Sequence, residues 1–316
     1  MFDQRLLSCI SGNNNFTQGE KWIAKEDLED LVYLLIPYGT TFLFIIISNL
    51  MLIYGFHKAS RPFTIVTKLF IYLSIVDIVL GSTIFSYCFQ LFFNIDFPCF
   101  VKLAHILMMQ FSYFLGICIF GTISFLRYWS IRKPLHAVGI RSILIILAIE
   151  IVICALLASS VFLVAKLKGY QGIMITLFKL TPVTNLIATL FIVCVNVLSY
   201  KNLKSSKNDS VLSEKVENIQ RRKRNSKALS CLLIITAFYV ICLLPIITTI
   251  IVEVEEERFT IYLMMVAQLL YFSNSGINSM IVICRTKKLR IFYRMKCCSK
   301  IYEISNTTQE RRIELN

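Results

Sequence analysis

Long apolar stretches separated by short polar connections form the dominant pattern of this chain. Each stretch is long enough for a helix to cross the roughly 30 Å of hydrocarbon in a bilayer, which takes about 20 residues. The stretches cover residues 31–56, 65–93, 98–131, 141–166, 172–200, 228–252 and 259–284. The pattern predicts an all-α membrane protein, a seven-transmembrane helix bundle with a short amphipathic eighth helix.

The composition agrees with a bilayer as the solvent. Hydrophobic residues make up 56% of the 316 residues and charged residues only 16%, with a mean hydropathy of +0.68. Soluble domains carry about a quarter charged residues, so an ordinary soluble domain is excluded. The 11 cysteines lie mostly within apolar stretches, which excludes a small disulfide scaffold.

The basic residues are distributed unequally between the two sides of the membrane. Of the 33 lysines and arginines, 25 fall in the first, third and fifth connections and the C-terminal tail, and 8 on the opposite side. Because cytoplasmic flanks are enriched in lysine and arginine, the N-terminus is predicted outside and the C-terminus in the cytosol. The net charge of +14 therefore indicates topology, and no nucleic-acid partner is expected.

No connection is long and apolar enough to form a second core. The chain is expected to comprise an extracellular segment (residues 1–30), the membrane domain (31–285) and a cytoplasmic helix and tail (286–316). The longest connection, residues 201–227, is expected to extend the fifth and sixth helices into the cytosol, where its basic residues meet a partner protein or lipid headgroups.

Two surface features follow from this topology. Residues 286–296 alternate basic and apolar side chains at helical spacing, which is typical of a helix lying on the anionic inner leaflet, with membrane lipids as its partners. Asn15 begins an Asn-Phe-Thr sequon on the outer side and is predicted to be glycosylated.

Polar side chains within the spans are the candidate functional residues, because an unpaired charge in hydrocarbon is costly. The inner polar cluster comprises Asn49, Asp77, Asn274, Ser275 and Asn278. Its oxygens can hold an ion or water; equally, these groups can hydrogen-bond one another simply to join helices. Glu150 faces a neighbouring helix or reaches the headgroups, and the sequence assigns it no role.

Five short motifs, in order along the spans, resemble those of rhodopsin-like (class A) G-protein-coupled receptors. They are residues 48–49 (SN, for G-N), 73–77 (LSIVD, for L-S-x-A-D), 127–135 (RYWSIRKPL, for D-R-Y-x-x-I-x-x-P-L), 242–245 (CLLP, for C-W-x-P) and 274–279 (NSGINS, for N-S-x-x-N-P). The matches cover residues 31–298, and on them the chain is identified as a divergent member of that family.

The resemblance implies a plasma-membrane receptor that binds an extracellular ligand, activates a heterotrimeric G protein and catalyses no reaction. It implies that Arg127 couples to the G protein together with Tyr128, Pro134 and Leu135. It also implies a sodium ion, and no other cofactor or metal, in the inner polar cluster. Pro245 corresponds to the kink of the sixth span, either static or a moving hinge.

Two cysteine assignments also depend on the resemblance. Cys297 and Cys298 correspond to juxtamembrane cysteines that are often palmitoylated in the family, with two free thiols as the alternative. The family's usual disulfide lacks its cysteine in the second outer loop. Cys99 then has Cys9 as its outer partner, a pairing that the sequence alone does not establish.

Several positions depart from the family pattern. Leu126 and Asn225 replace acidic residues that restrain the arginine, and this predicts activity without ligand. Leu243 replaces the tryptophan of the sixth span. Gly116 replaces a serine that often completes the sodium site, which weakens the ion assignment but leaves the polar cluster.

The ligand pocket is expected between the outer halves of the third, fifth, sixth and seventh spans. Its lining is predicted to include Met109, Gln110, Tyr113, Ile247, Ile250, Gln268 and Phe272. Met109 stands where the family's amine receptors keep an aspartate, so a peptide or lipid ligand is favoured over an amine. Acidic residues at the outer rim attract a basic peptide or are simply solvated.

A different class remains open. A small transporter or channel would use Asp77 and Glu150 as permeation carboxylates. Against it stand the absence of an internal inverted repeat and the presence of the motif at residues 127–135. An enzyme is not expected, because the three histidines are too dispersed for a metal site and no nucleophile lies at a suitable spacing from a base.

Overall fold

The structure is a computed structural model, which describes residues 25–59, 64–92, 98–132, 139–174, 181–208, 216–251 and 257–295. These residues form eight helices and no strand, so the all-α prediction is confirmed for them. The helices are α1 (Lys25–Ala59), α2 (Ile65–Phe92), α3 (Cys99–Arg132), α4 (Ile140–Met174), α5 (Thr181–Asn208), α6 (Val216–Ile251), α7 (Glu257–Arg285) and α8 (287–295).

Six helices, α1 to α6, are long and apolar enough to cross a membrane. The chain is therefore a helical, multi-pass membrane protein. Within the described residues α7 falls outside this set, because Gln268, Asn274, Asn278 and several serines dilute its apolar residues. A seventh span stays a prediction.

The helix bounds differ from the predicted spans at the start of α1, at the end of α4 and at the start of α5. The expected extensions of α5 and α6 are present. α4 continues to Met174, so residues 172–174 belong to it and not to the fifth span, which begins at Thr181. α1 begins at Lys25, within the segment predicted to precede the membrane domain. α5 and α6 extend to Asn208 and from Val216, as expected for the long basic connection. Helices continue past an apolar stretch because backbone hydrogen bonding does not require apolar side chains.

The helices pack in a closed ring in which α1, α2, α3, α5, α6 and α7 follow one another and α7 returns to α1. α3 is the central helix, since it contacts α2, α4, α5 and α6. α4 packs chiefly on α3 and exposes large aliphatic side chains such as Leu144, Ile145 and Leu156. Such a face suits hydrocarbon rather than water.

α8 packs against the C-terminal part of α1. Leu289 is fully buried, and the Tyr293 hydroxyl donates a hydrogen bond to the Met51 carbonyl. Burial raises the pKa of Tyr293, which keeps the phenol protonated as a donor. Gly55 permits this approach, since a Cβ there would lie 3.0 Å from side-chain atoms of Leu289 and Tyr293. The outer surface of α8 exposes Lys287, Lys288, Arg290 and Arg294.

Gly55→Val is expected to release α8 from α1, because neither Leu289 nor Tyr293 can keep its position beside a branched side chain. Trypsin should then cleave at the basic residues of α8 several times faster than in the wild type. Gly39→Val is the matched control, since no atom lies within 4 Å of a Cβ at that position of the same helix. Equal cleavage of the two variants would contradict the expectation.

Candidate functional site

Asn49 joins α1 to α7 at the centre of the inner polar cluster. It is fully buried, and its Nδ2 donates to the Ile45 carbonyl at 2.8 Å and lies 3.5 Å from the Ser275 carbonyl. The Ser279 hydroxyl donates to Asn49 Oδ1 at 2.5 Å. This side-chain hydrogen bond joins α1 to α7.

The helices approach closely at this point because Gly276 has no side chain. The ring of Phe44 occupies the space that a Cβ at Gly276 would need. A larger residue at position 276 therefore requires the Phe44 ring to move.

Asp77 adds the carboxyl group of the cluster from α2. Only 6% of the residue is exposed, and its carboxyl group is hydrogen-bonded to the Ser275 side chain. Among the described residues, Asp77 Oδ2 has no hydrogen-bond partner, and neither have the Oδ1 atoms of Asn274 and Asn278. A buried polar atom without a partner costs about 1–3 kcal/mol. Each of these oxygens can accept a hydrogen bond from water or coordinate a hard cation.

Arg127 lies half-buried near the C-terminal end of α3. Leu126 beside it is buried, and no carboxylate of the described residues pairs with the Arg127 guanidinium. Its titratable neighbour on α6 is Cys231, which also interacts with Arg285 of α7. Asn225 is half-buried one and a half turns before Cys231. Cys231 thus lies near two cations of different helices, with no described counter-charge.

The rest of the predicted coupling motif is described in part. The Arg132 guanidinium donates to the Tyr128 hydroxyl at 2.8 Å and lies 6.0 Å from the centre of its ring. Pro134 and Leu135 lie outside the described residues.

Three tyrosines meet in the middle of the bundle. Tyr239 of α6 and Tyr271 of α7 are buried, and their hydroxyl oxygens lie 3.0 Å apart. The ring of Tyr113 on α3 lies 5.1 Å from that of Tyr271 and packs against both other tyrosines. Leu186 of α5 also packs against these tyrosines. This tyrosine cluster therefore joins α3, α5, α6 and α7.

Sequence reasoning placed Tyr113 in the pocket but missed Tyr239 and Tyr271. A signal was present, because each is a side chain with a polar tip within an apolar span, and a buried phenol usually finds a partner. Leu243, one turn beyond Tyr239, is also buried and packs with the tyrosines.

No model of a known protein family matches the chain, and no curated protein matches it. Its function is therefore inferred from its own residues.

The predicted pocket residues are described in part. Ile247 and Phe272 pack against it. Gln110 is buried, with no partner for its Oε1 among the described residues, and Met109 and Gln268 are half-buried. The side chain of Ile250 is not among the described ones. Sequence reasoning missed Asn185 of α5, which is buried and whose Nδ2 has no partner in the described part of the chain.

The remaining predicted site residues lie at other positions of the helices or outside the described part of the chain. Pro245 lies within α6, which continues past it to Ile251. Glu150 faces α3, where the Thr122 hydroxyl donates to its carboxylate, so the neighbouring-helix interpretation applies. Outside the described residues or side chains lie Cys9, Asn15, Cys99, Cys297 and Cys298.

Proposed function

We propose that the protein is a receptor of the rhodopsin-like G-protein-coupled class. In this proposal it spans the plasma membrane seven times, with an extracellular N-terminus and a cytoplasmic C-terminus. It binds an extracellular ligand in its outer half and activates a heterotrimeric G protein at its inner end.

The observation that carries the proposal is the meeting of Asn49, Asp77, Ser275 and Ser279. They belong to three separate motifs, and Asn49 and Ser279 are 230 residues apart, yet all converge on one buried point. Membrane helices can pack through apolar contacts alone, so this grouping of polar side chains calls for a functional explanation. It also accounts for the polar residues of α7, which face other helices and are therefore compatible with a seventh span.

The proposed mechanism uses α3 as the connection between the two ends. Tyr113 and Arg127 lie 14 residues apart on it, or about 21 Å. A ligand that changes the contacts of Tyr113 with Tyr239 moves α6 relative to α3. Pro245 leaves a backbone carbonyl of α6 without its helical donor, which makes bending easier there. Movement of α6 separates Cys231 from Arg127 and exposes the arginine to the G protein.

Nucleotide exchange tests this function directly. The purified protein in lipid nanodiscs is expected to accelerate GTP binding to at least one subtype of heterotrimeric G protein, and Arg127→Ala is expected to abolish the acceleration. Failure with every subtype, with the basic and apolar peptides and lipids of a ligand panel present, would count against the proposal.

Sodium is expected to reduce ligand-free exchange, because an ion held by the unpartnered oxygens around Asp77 stabilises the resting arrangement. Replacing sodium chloride by choline chloride should raise the rate about fivefold or more, the usual size of such coupling. Asp77→Asn should abolish this dependence. Glu150→Gln is the control, since it alters the membrane carboxyl group that faces α3 instead. Equal sodium dependence in the wild type and both variants would show that sodium does not act through Asp77.

The transporter alternative makes a different prediction for the same variants. It requires ion flux across liposomes that both Asp77→Asn and Glu150→Gln reduce. The two carboxyl groups have different neighbours, Ser275 of α7 for Asp77 and Thr122 of α3 for Glu150. This separation favours the receptor.

A further inference from the structure

Two cysteines face each other between α3 and α4. The Sγ atoms of Cys118 and Cys154 lie 3.7 Å apart, Cys154 is fully buried and Cys118 is half-buried. One turn after Cys118 on α3 and one turn before Cys154 on α4, the Thr122 hydroxyl donates to the Glu150 carboxylate. The pair of thiols and the Glu150 carboxylate therefore lie one helical turn apart in the same interface between α3 and α4.

Glu150 distinguishes this pair from ordinary buried thiols. In apolar surroundings a thiol stays protonated and inert, because only the thiolate is nucleophilic. A negative charge on Glu150 opposes a second negative charge on either sulfur, and its Oε2 is buried with no hydrogen-bond partner among the described residues. It can accept a proton from Cys118, so that the single negative charge moves from oxygen to sulfur. The Cys154 thiol donates to the Cys118 sulfur and stabilises the resulting thiolate.

We propose that Cys118 and Cys154 are a redox-active dithiol that hydroperoxides oxidise to a disulfide within the membrane. The Cys118 thiolate attacks the terminal peroxide oxygen and becomes a sulfenic acid, while the O–O bond breaks and the departing oxygen takes the proton from Glu150. The Cys154 sulfur then attacks the Cys118 sulfur, the S–O bond breaks, and water leaves with the Cys154 proton. Two thiols and one hydroperoxide give one disulfide, one water and one alcohol, or a second water from hydrogen peroxide.

The position suits a reagent that arrives through the bilayer. Ile149, Ile151 and Ile153, which flank the site on α4, are exposed on the apolar surface. The sulfurs must approach by about 1.7 Å to reach a bond length near 2.05 Å, which side-chain rotation can supply. The disulfide joins α4 covalently to the central helix α3. The dithiol does not depend on the proposed receptor function.

Differential alkylation with mass spectrometry tests the proposal on the full chain in nanodiscs. After treatment with hydrogen peroxide or cumene hydroperoxide, denaturation and alkylation, the free thiols of Cys118 and Cys154 are expected to disappear together. One disulfide-linked peptide pair should appear, and a reducing agent should reverse it. The exposed Cys194 and Cys284 of α5 and α7 are internal controls. If they are oxidised while Cys118 and Cys154 remain free, the proposal is wrong.

Two variants separate the steps. In Cys154→Ser, Cys118 should stop at the sulfenic acid, which dimedone traps; the absence of an adduct together with an unreactive Cys118 would overturn the proposed order. Glu150→Gln keeps the size of the side chain and should slow oxidation at least about tenfold. An unchanged rate would show that Glu150 does not accept the proton.

Discussion

Cells that express the wild-type protein without ligand are expected to give a second-messenger signal that Arg127→Ala abolishes at matched surface expression. Arg127 has no described carboxylate partner, and Leu126 and Asn225 supply none. An ion pair made only in the resting state would favour that state about tenfold for each 1.4 kcal/mol. Without the pair, a larger fraction of molecules is active before ligand binds.

A restored acid provides the sharper test of this prediction. Leu126→Asp should lower the ligand-free signal by roughly tenfold while leaving surface expression measurable. Leu126→Asn removes the same buried aliphatic side chain and has nearly the same size as aspartate but no charge. It should therefore keep the wild-type signal if charge is responsible. Equal loss of signal in both variants would attribute the effect to packing.

Tyr239→Phe and Tyr271→Phe are each expected to lower the thermal stability of the protein. Each variant breaks the hydrogen bond of 3.0 Å and leaves a buried phenol with fewer partners, at a cost of about 1–3 kcal/mol. For a protein of this size that cost lowers Tm by about 2–4 °C per kcal/mol. Melting of the purified protein in nanodiscs measures the effect.

The double variant decides whether the two tyrosines act together. Because both phenols are then absent, the combined loss should be clearly smaller than the sum of the single losses. Tyr72→Phe, on the exposed surface of α2, should leave Tm unchanged. Strictly additive losses would mean that the two tyrosines stabilise the bundle independently.

The helical class and the membrane environment could be predicted from the sequence alone. Long apolar stretches specify helices and a bilayer, because an unpaired backbone amide in hydrocarbon is too costly for any open alternative. Hydropathy identified the helices from α1 to α6, apart from their ends. It is less informative for α7, where Gln268, Asn274 and Asn278 lower the average.

Pairings between distant residues could not be obtained in this way. Periodicity indicates which side chains share a face of one helix, but it does not give the rotation of that helix against its neighbours. The contacts of Asn49 with Ser279, of Tyr239 with Tyr271 and of Cys118 with Cys154 all depend on that rotation.

The sequence by itself therefore determined the helical class, the membrane environment and the positions of the polar residues within the spans. The tertiary structure decided that Asn49, Asp77 and Ser275 meet, that Glu150 faces α3, and that three tyrosines join α3, α6 and α7. The physical reason is that hydropathy is a property of each segment alone. Side-chain pairing depends on how close-packed helices such as α1 and α7 fit together, which residues like Gly276 permit only in the assembled bundle.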